Sequence, residues 1–244
     1  MLAYRIIARL DIKGPNLVKP LQFDGLRVIG DPAEFAKKYA EEGADELLYI
    51  DTVASLYGRN QLRSILERTS AECFTPILVG GGVDGTSTVA ELFKAGADRV
   101  AANTAVLRCP EIIAAIAGRC GSQAIAVSIE AKKVSGGWEA YSDAGRIPSG
   151  KDALRWAEEA IRLGAGEVLI TSIDRDGTRR GPDLDLLKAL DVDVPVVYSG
   201  GIRLQDVEEV AEYSDGMAIG ASLHYGDCTI AQIKDALRPY QEIR

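Results

Sequence analysis

The chain has 244 residues, 47% of them hydrophobic and 26% charged, with a formal net charge of −8. This is the composition of a globular domain and the length of one α/β barrel, which takes about 250 residues, while the acidic balance speaks against a nucleic-acid surface. No apolar run reaches the length of a membrane span, and the start, with Arg5, Arg9 and Asp11 inside its apolar stretch, reads as a strand and not as an export signal.

The first predicted strand is Arg5–Asp11. A helix over Asp31–Glu42 follows, opened by Asp31 as N-cap and Pro32 at the first helical position, and stopped at Gly43. Three more strands are predicted at Glu46–Asp51, Pro76–Val79 and Arg99–Ala102, and a fifth at Ala124–Ile129. The helix Lys151–Leu163 places Ala153, Trp156, Ala157, Ala160 and Ile161 on one face before Gly164. The last strands are Glu167–Thr171, Val194–Tyr198 and Gly216–Ile219, with a brief connection from Ile202 to Asp215 before the last. Strands alternating with helices imply an α/β fold with a parallel sheet, either open and doubly wound or closed into a barrel.

An internal repeat chooses between them. ARLDIK (Ala8–Lys13) returns as VSIEAK (Val127–Lys132), GADELLYID (Gly43–Asp51) as GAGEVLITS (Gly164–Ser172), and PILVGGGV (Pro76–Val83) as PVVYSGGI (Pro195–Ile202). Each second copy lies about 120 residues after the first. Two (βα)4 half-barrels close naturally into a (β/α)8 TIM barrel, one domain over 1–244, whereas an open sheet has no reason to repeat in this way.

Chemistry in such barrels sits at the C-terminal ends of the strands. The repeat puts three pairs of features there. Asp11 and Glu130 end the first and fifth strands, which face each other across an eight-strand ring. Two facing carboxylates suit general acid and base work on one substrate; single carboxylates there would more simply cap strands or pair with Lys13 and Lys132, but a symmetric pair favours function. Glycine loops follow the third and seventh strands, Gly80-Gly81-Gly82 and Ser199-Gly200-Gly201, and glycine lets backbone N–H groups approach an anion. Beside them lie Asn103-Thr104 and Ala221-Ser222, with further backbone donors and hydroxyls. Tight turns alone would explain one such loop, but not the duplicated set. The pattern predicts two phosphate sites and a substrate phosphorylated at both ends, its middle held against the carboxylates. Lys19 either reaches a phosphate or carbonyl or is a solvated loop residue; Asp176-Gly177 is a turn whose aspartate can also meet substrate. Four scattered cysteines and one histidine, His224, argue against a metal centre or a Ser–His triad and fit reduced thiols in a cytoplasm. No cofactor is expected.

The segments RIIARLDIK, GDP, EEGADEL, VGGG, AGAD, CGSQ (Cys120–Gln123), AGE, TSIDRDGT and SGG, spread from Met1 to about Ile233, resemble the cyclase subunits of imidazole glycerol phosphate synthase of histidine biosynthesis. TSIDRDGT is the most specific; the sister isomerase of the pathway, built on the same half-barrel plan, lacks it. The resemblance implies a lyase. Ammonia from a separate glutaminase, docked on the N-terminal face of the barrel, converts a bis-phosphorylated ribulosyl aminoimidazole carboxamide ribotide to imidazole glycerol phosphate and AICAR. It gives Asp11 and Glu130 the acid/base roles, Lys19 a place on a substrate-covering loop, and Arg5, Glu46, Arg99 and Glu167 a charged gate where ammonia enters.

Three departures stand out. Glu130 replaces the usual aspartate, Pro20 replaces a glycine after Lys19, and Arg9 stands where a small residue is usual. Residues 5, 7, 9 and 11 share a strand face, so Arg9 is expected inside the barrel, paired with Glu130, Glu46 or Glu167. Glu46 and Asp51 are five apart, so a regular strand does not face both inward. These departures keep two alternatives in view: a paralogous barrel that, with its glutaminase, relays ammonia to a sugar-amidating enzyme of surface-glycan synthesis, and a non-catalytic relay subunit.

Overall fold

The computed structural model describes residues 4–54 and 62–241; the ends of the expected 1–244 domain lie outside the described residues. Its strands are β1 (Arg5–Lys13), β2 (Asn16–Leu21), β3 (Asp24–Gly30), β4 (Glu46–Asp51), β5 (Ile77–Gly80), β6 (Arg99–Ala102), β7 (Ile125–Val134), β8 (Gly137–Ser142), β9 (Ile147–Asp152), β10 (Glu167–Ser172), β11 (Val196–Ser199) and β12 (Gly216–Ile219). The parallel strands β1, β4, β5, β6, β7, β10, β11 and β12 pair in that order, and β12 returns to β1. With helices between them, this is a closed (β/α)8 barrel.

Side-chain alternation along β1 builds two cores. Ile6, Ala8, Leu10 and Ile12 point outward into the shell shared with the helices. Ile7 points inward and meets Leu48, Leu78, Ala101, Ala126, Leu169, Val197 and Ala218, one from each barrel strand. These close the barrel's waist, and each large member contributes about 1.5–3 kcal/mol through burial. Three aspartates before strands fasten the lower rim: Asp45 accepts from Ile6 N at 2.8 Å, Asp98 from Ile77 N at 2.8 Å, and Asp215 from Val196 N at 2.9 Å.

The first helix runs Pro32–Glu41 with Asp31 accepting from Ala33 N and Glu34 N, as its sequence predicts. The helix Ala153–Arg162 starts later than predicted because Lys151 and Asp152 finish β9 and Asp152 is the cap. The brief connection before β12 holds only a 3-10 turn and the short helix Val207–Ala211.

Two antiparallel extensions were not predicted. β2 and β3 continue β1, and β8 and β9 continue β7, so the half-barrel repeat extends to a three-stranded ribbon standing above the rim in each half. The β2–β3 turn, Gln22-Phe23, has both φ angles positive (50° and 64°), the hairpin geometry that matches strand twist. It folds back over the barrel: Gln22 N donates to Asp176 O at 2.9 Å and Gln22 Nε2 to Asp174 O at 2.9 Å. Phe23 is buried there, against Gly145 of the opposite ribbon.

Candidate active site

Asp11 and Glu130 both sit at the C-terminal mouth, facing inward from β1 and β7. Their surroundings differ. Asp11 is fully buried, and both of its oxygens are held: Oδ1 by Arg9 Nε at 2.9 Å and Oδ2 by Lys19 Nζ at 2.6 Å. Burial opposes its ionisation, but the two cations outweigh burial and keep the carboxyl well below the usual carboxylate range. Glu130 accepts one hydrogen bond on Oε2, from Gly145 N at 2.7 Å. Burial pushes its pKa up to about 7, against the opposing effects of that bond and of Arg9. The environments thus drive the two carboxylates apart, the usual basis for giving two acids different tasks.

Arg9 does point into the barrel, as the strand parity requires, but its carboxylate partner is Asp11, not Glu130, Glu46 or Glu167. The i, i+2 spacing on one strand face puts Asp11 within reach of Nε, while the two lower glutamates lie beyond the waist. Nη1 donates to Thr171 Oγ1 at 3.2 Å and Ser199 Oγ at 3.1 Å, and the guanidinium lies 5.5 Å from the centre of the Phe23 ring. Two of its nitrogens and one face are therefore engaged, the kind of pairing a buried guanidinium requires.

Lys19 lies in β2 and not in a loop, and it is not solvated. Its ammonium is buried between Asp11 and Asp176, 3.2 Å from Asp176 Oδ1. Pro20 sits in the same strand, where its carbonyl would touch any side chain at Gly177: a Cβ there would be 2.4 Å from Pro20 O.

The two glycine cradles also lie at the mouth, each beside its predicted companion. Gly81 and Gly82 with Asn103 and Thr104 line a cavity of about 390 Å³ that also reaches Asp51, Ser128, Glu130 and Phe23. Asp51 does enter this space, because it ends β4 above the last inward position. Gly81 has φ 96°, and a Cβ on it would fall 2.5 Å from Asp51 O, so only glycine fits. Thr104 Oγ1 accepts from Asp143 N at 2.9 Å, and Asn103 Oδ1 is buried without a partner among the described residues. Gly200, Gly201, Ala221 and Ser222 with Asp176 and Gly177 line only a notch of about 20 Å³, and the β2–β3 hairpin packs against Asp176 and Gly177 at its edge. The Ser222 hydroxyl, predicted to face the cradle, donates instead to Ile202 O at 2.5 Å, because Ser222 is buried in the first turn of a short helix. Its cradle is therefore backbone.

At the opposite rim, Arg5, Glu46, Arg99 and Glu167 form a closed ring. Arg5 pairs with Glu46 at 3.1 Å and with Glu167; Arg99 pairs with Glu46 at 3.3 Å and with Glu167 at 2.9 Å. The glutamates are buried and the arginines partly exposed, so the ring is neutral overall and seals the barrel floor below the waist.

Sequence reasoning missed Phe23, Gly145, Thr171 and Arg108, and read Ser199 only as part of a glycine loop, whereas it ends β11. The first two sit at hairpin tips that were not foreseen; Thr171 and Ser199 lie on inward positions that strand parity could have picked out. Arg108 lines the large cavity and pairs with Asp143 at 2.6 Å. His224 is a packed residue: Nδ1 meets Tyr39 Oη at 2.7 Å, and burial, with Lys19 nearby, lowers its pKa to about 4. No described helix is long and apolar enough to cross a membrane.

Residues 5–229 match a family described as histidine biosynthesis protein. Among curated relatives, a Legionella pneumophila protein named imidazole glycerol phosphate synthase subunit HisF is 52% identical over 201 residues, 81% of this chain and 95% of its own length. Proteins of the same name from Myxococcus xanthus and Bacillus cereus are 43% and 42% identical over 244 residues, covering 98% of this chain and 96% and 97% of theirs.

Proposed function

The chain belongs to the histidine biosynthesis protein family, alongside the HisF subunits of imidazole glycerol phosphate synthase, and on that footing we propose how its barrel carries out the reaction. It is the cyclase subunit of that synthase, a lyase of histidine biosynthesis, and its partner is a glutaminase subunit. Ammonia and the bis-phosphorylated ribulosyl aminoimidazole carboxamide ribotide become imidazole glycerol phosphate and AICAR.

In this reading the whole chain, 1–244, acts as one barrel domain in the cytoplasm, and needs no cofactor. One phosphate of the substrate rests on Gly81, Gly82, Asn103 and Thr104, where backbone N–H groups replace side-chain cations. The other enters the notch of Gly200, Gly201, Ala221 and Ser222 once the hairpin bearing Lys19 lifts from Asp176 and Gly177. Held at both ends, the reacting middle lies over Asp11 and Glu130, a proximity effect that contributes several kcal/mol. The glutaminase docks against the N-terminal face, and the ring of Arg5, Glu46, Arg99 and Glu167 opens to admit ammonia. Neutrality of the ring suits an uncharged passenger.

The single observation that carries the reading is the full-length match to HisF subunits in a chain that keeps carboxylates at both facing strand ends. The deciding experiment supplies ammonium salt directly to the purified barrel and follows imidazole glycerol phosphate. Turnover that disappears in Asp11→Asn supports the reading. Arg9, which caps Asp11, favours a second one: a barrel that binds the bisphosphate but forms no product would act with its glutaminase as an ammonia relay, as for a sugar-amidating enzyme.

A further inference from the structure

The two glycine cradles share a feature that the sequence repeat does not show: each has an arginine at its edge, held by an aspartate. Arg108 lines the 390 Å³ cavity, and its Nη2 donates to Asp143 Oδ2 at 2.6 Å. Arg179 lines the notch, and its Nη1 donates to the Asp227 carboxylate at 2.9 and 2.8 Å. Charge makes the first of these the more consequential. Asp51, Asp84, Glu91 and Glu130 all line the large cavity, and among its described lining residues Arg108 is the one cation. Backbone N–H groups offer a phosphate hydrogen bonds but no net charge. A phosphate dianion entering this space therefore meets four carboxyl groups and a single guanidinium.

Local geometry sets Arg108 beside the cradle. Thr104 and Arg108 are four apart in the helix Thr104–Arg108, so they share one of its faces. Asp143, in the β8–β9 turn, clips that face at both ends: its N–H donates to Thr104 Oγ1 at 2.9 Å, and its carboxylate takes Arg108 Nη2. The Asp143 side chain is buried and that of Arg108 largely exposed, so a held anchor presents a reachable guanidinium. Nε and Nη1 of Arg108 have no partner among the described residues. Part of the donor fork is thus left for a second oxyanion.

We propose, building on the cyclase reading, that Arg108 is a phosphate clamp at the large cavity: pinned through Nη2 by Asp143, it gives Nε and Nη1 to the substrate phosphate seated on Gly81 and Gly82, and so selects for a doubly charged end. Asp143 is a positioning residue. Gly81, Gly82, Asn103 and Thr104 bring no cation of their own; Arg108, one helical turn beyond Thr104, supplies it. A neutral or singly charged end gains less from a charge-assisted hydrogen bond and is held less well among the carboxyl groups.

The test titrates inorganic phosphate into the purified full chain and follows the amide resonances of Gly82 and Thr104, which read the cradle without turnover. Arg108→Gln should weaken phosphate binding there by about tenfold or more, the loss of one charge-assisted hydrogen bond, and Arg108→Lys should recover part of it. Arg179→Gln removes the same charge at the other cradle and should leave the Gly82 titration unchanged at physiological salt, which screens distant charges. Asp143→Asn keeps an oxygen for Nη2 and should bind phosphate at least as well as wild type. No response at Gly82 in wild type overturns the proposal, as does an Arg108→Gln titration like that of wild type. An equal loss in Arg179→Gln overturns it as a general charge effect, and an equal loss in Asp143→Asn reduces Arg108 to a fastener of the turn. Ammonium-driven turnover adds a second readout: Arg108→Gln should raise KM for the bisphosphate and nearly keep kcat. A fall in kcat at unchanged KM overturns the clamp, since it would report a displaced β8–β9 turn, whose Gly145 N–H holds Glu130. Absence of all turnover in wild type refutes the cyclase reading instead, and the phosphate titration still decides the role of Arg108.

Discussion

Replacing Glu130 by glutamine should stabilise the fold, increasingly as pH rises from about 4.5 to about 7 and in full above that window. The carboxyl titrates at 4.5 when unfolded and at about 7 when buried at the mouth. Because the folded pKa is raised, the folded state binds the proton more tightly than the unfolded one between these values. Stability is therefore lost as pH climbs through that window, and the whole ionisation cost is present above it. A shift of roughly two and a half pH units corresponds to about 3 kcal/mol, an upper figure because water entering the cavity relaxes some of it. Glutamine keeps the acceptor for Gly145 N and carries no charge, so it avoids this cost. Urea unfolding should give Glu130→Gln nearly wild-type stability at pH 5 and up to about 3 kcal/mol more at pH 8.5, a rise in Tm of about 6–12 °C. The difference between the two proteins cancels every other titrating group, His224 included. An equal stability difference at both pH values would refute the burial argument, and a loss at pH 8.5 would show that the glutamate is ionised and well compensated in the fold.

Four further outcomes follow from the same geometry. Asp11→Ala strands Arg9 in the barrel with no carboxylate in contact, and should cost about 3–5 kcal/mol; the double variant with Arg9→Met should recover most of that in urea unfolding. Gly201→Ala places a Cβ 2.4 Å from Gly181 O at φ 74°, and should raise KM for the bisphosphate far more than it changes kcat. His224, whose folded pKa is depressed to about 4 from 6.5, binds protons less readily in the fold, so wild type should lose stability as pH falls through that window; the slope should flatten in His224→Gln, read by denaturation at pH 6.5 and 4. Arg99→Ala breaks both contacts that Arg99 makes in the ring and should lower glutamine-driven turnover while leaving ammonium-driven turnover close to wild type.

The barrel was legible because its strands are short, apolar and bounded by glycine; Glu46–Asp51, Arg99–Ala102 and Gly216–Ile219 fall where periodicity places them. The ribbons were not. β3 and β9 are largely exposed, and IPSGKD in β9 has neither apolar alternation nor β-branched bulk to mark it. Their existence depends on pairing with β2 and β8, a tertiary fact. The partner of Arg9 was misjudged for a related reason. The search went to carboxylates across the barrel, although ARLDIK holds one two residues along the same face. Lys19 was read as a loop residue because Gly14, Pro15 and Pro20 surround it, yet a proline is tolerated in an edge ribbon where its missing N–H is not needed.

Two alike halves would give a mouth with a two-fold axis, and a substrate carrying a phosphate at each end could lie across it in either direction. Here one half keeps a chamber of about 390 Å³, and the other, where the β2–β3 hairpin packs on Asp176 and Gly177, a notch of about 20 Å³. In the proposed reading, head and tail of the incoming molecule would then meet unequal receptions: one end would settle at once, the other only after the hairpin lifts. With unequal cradles, a duplicated scaffold would acquire a reading direction, and the proposed substrate, with its two similar ends, would be presented to the carboxylates in a single sense.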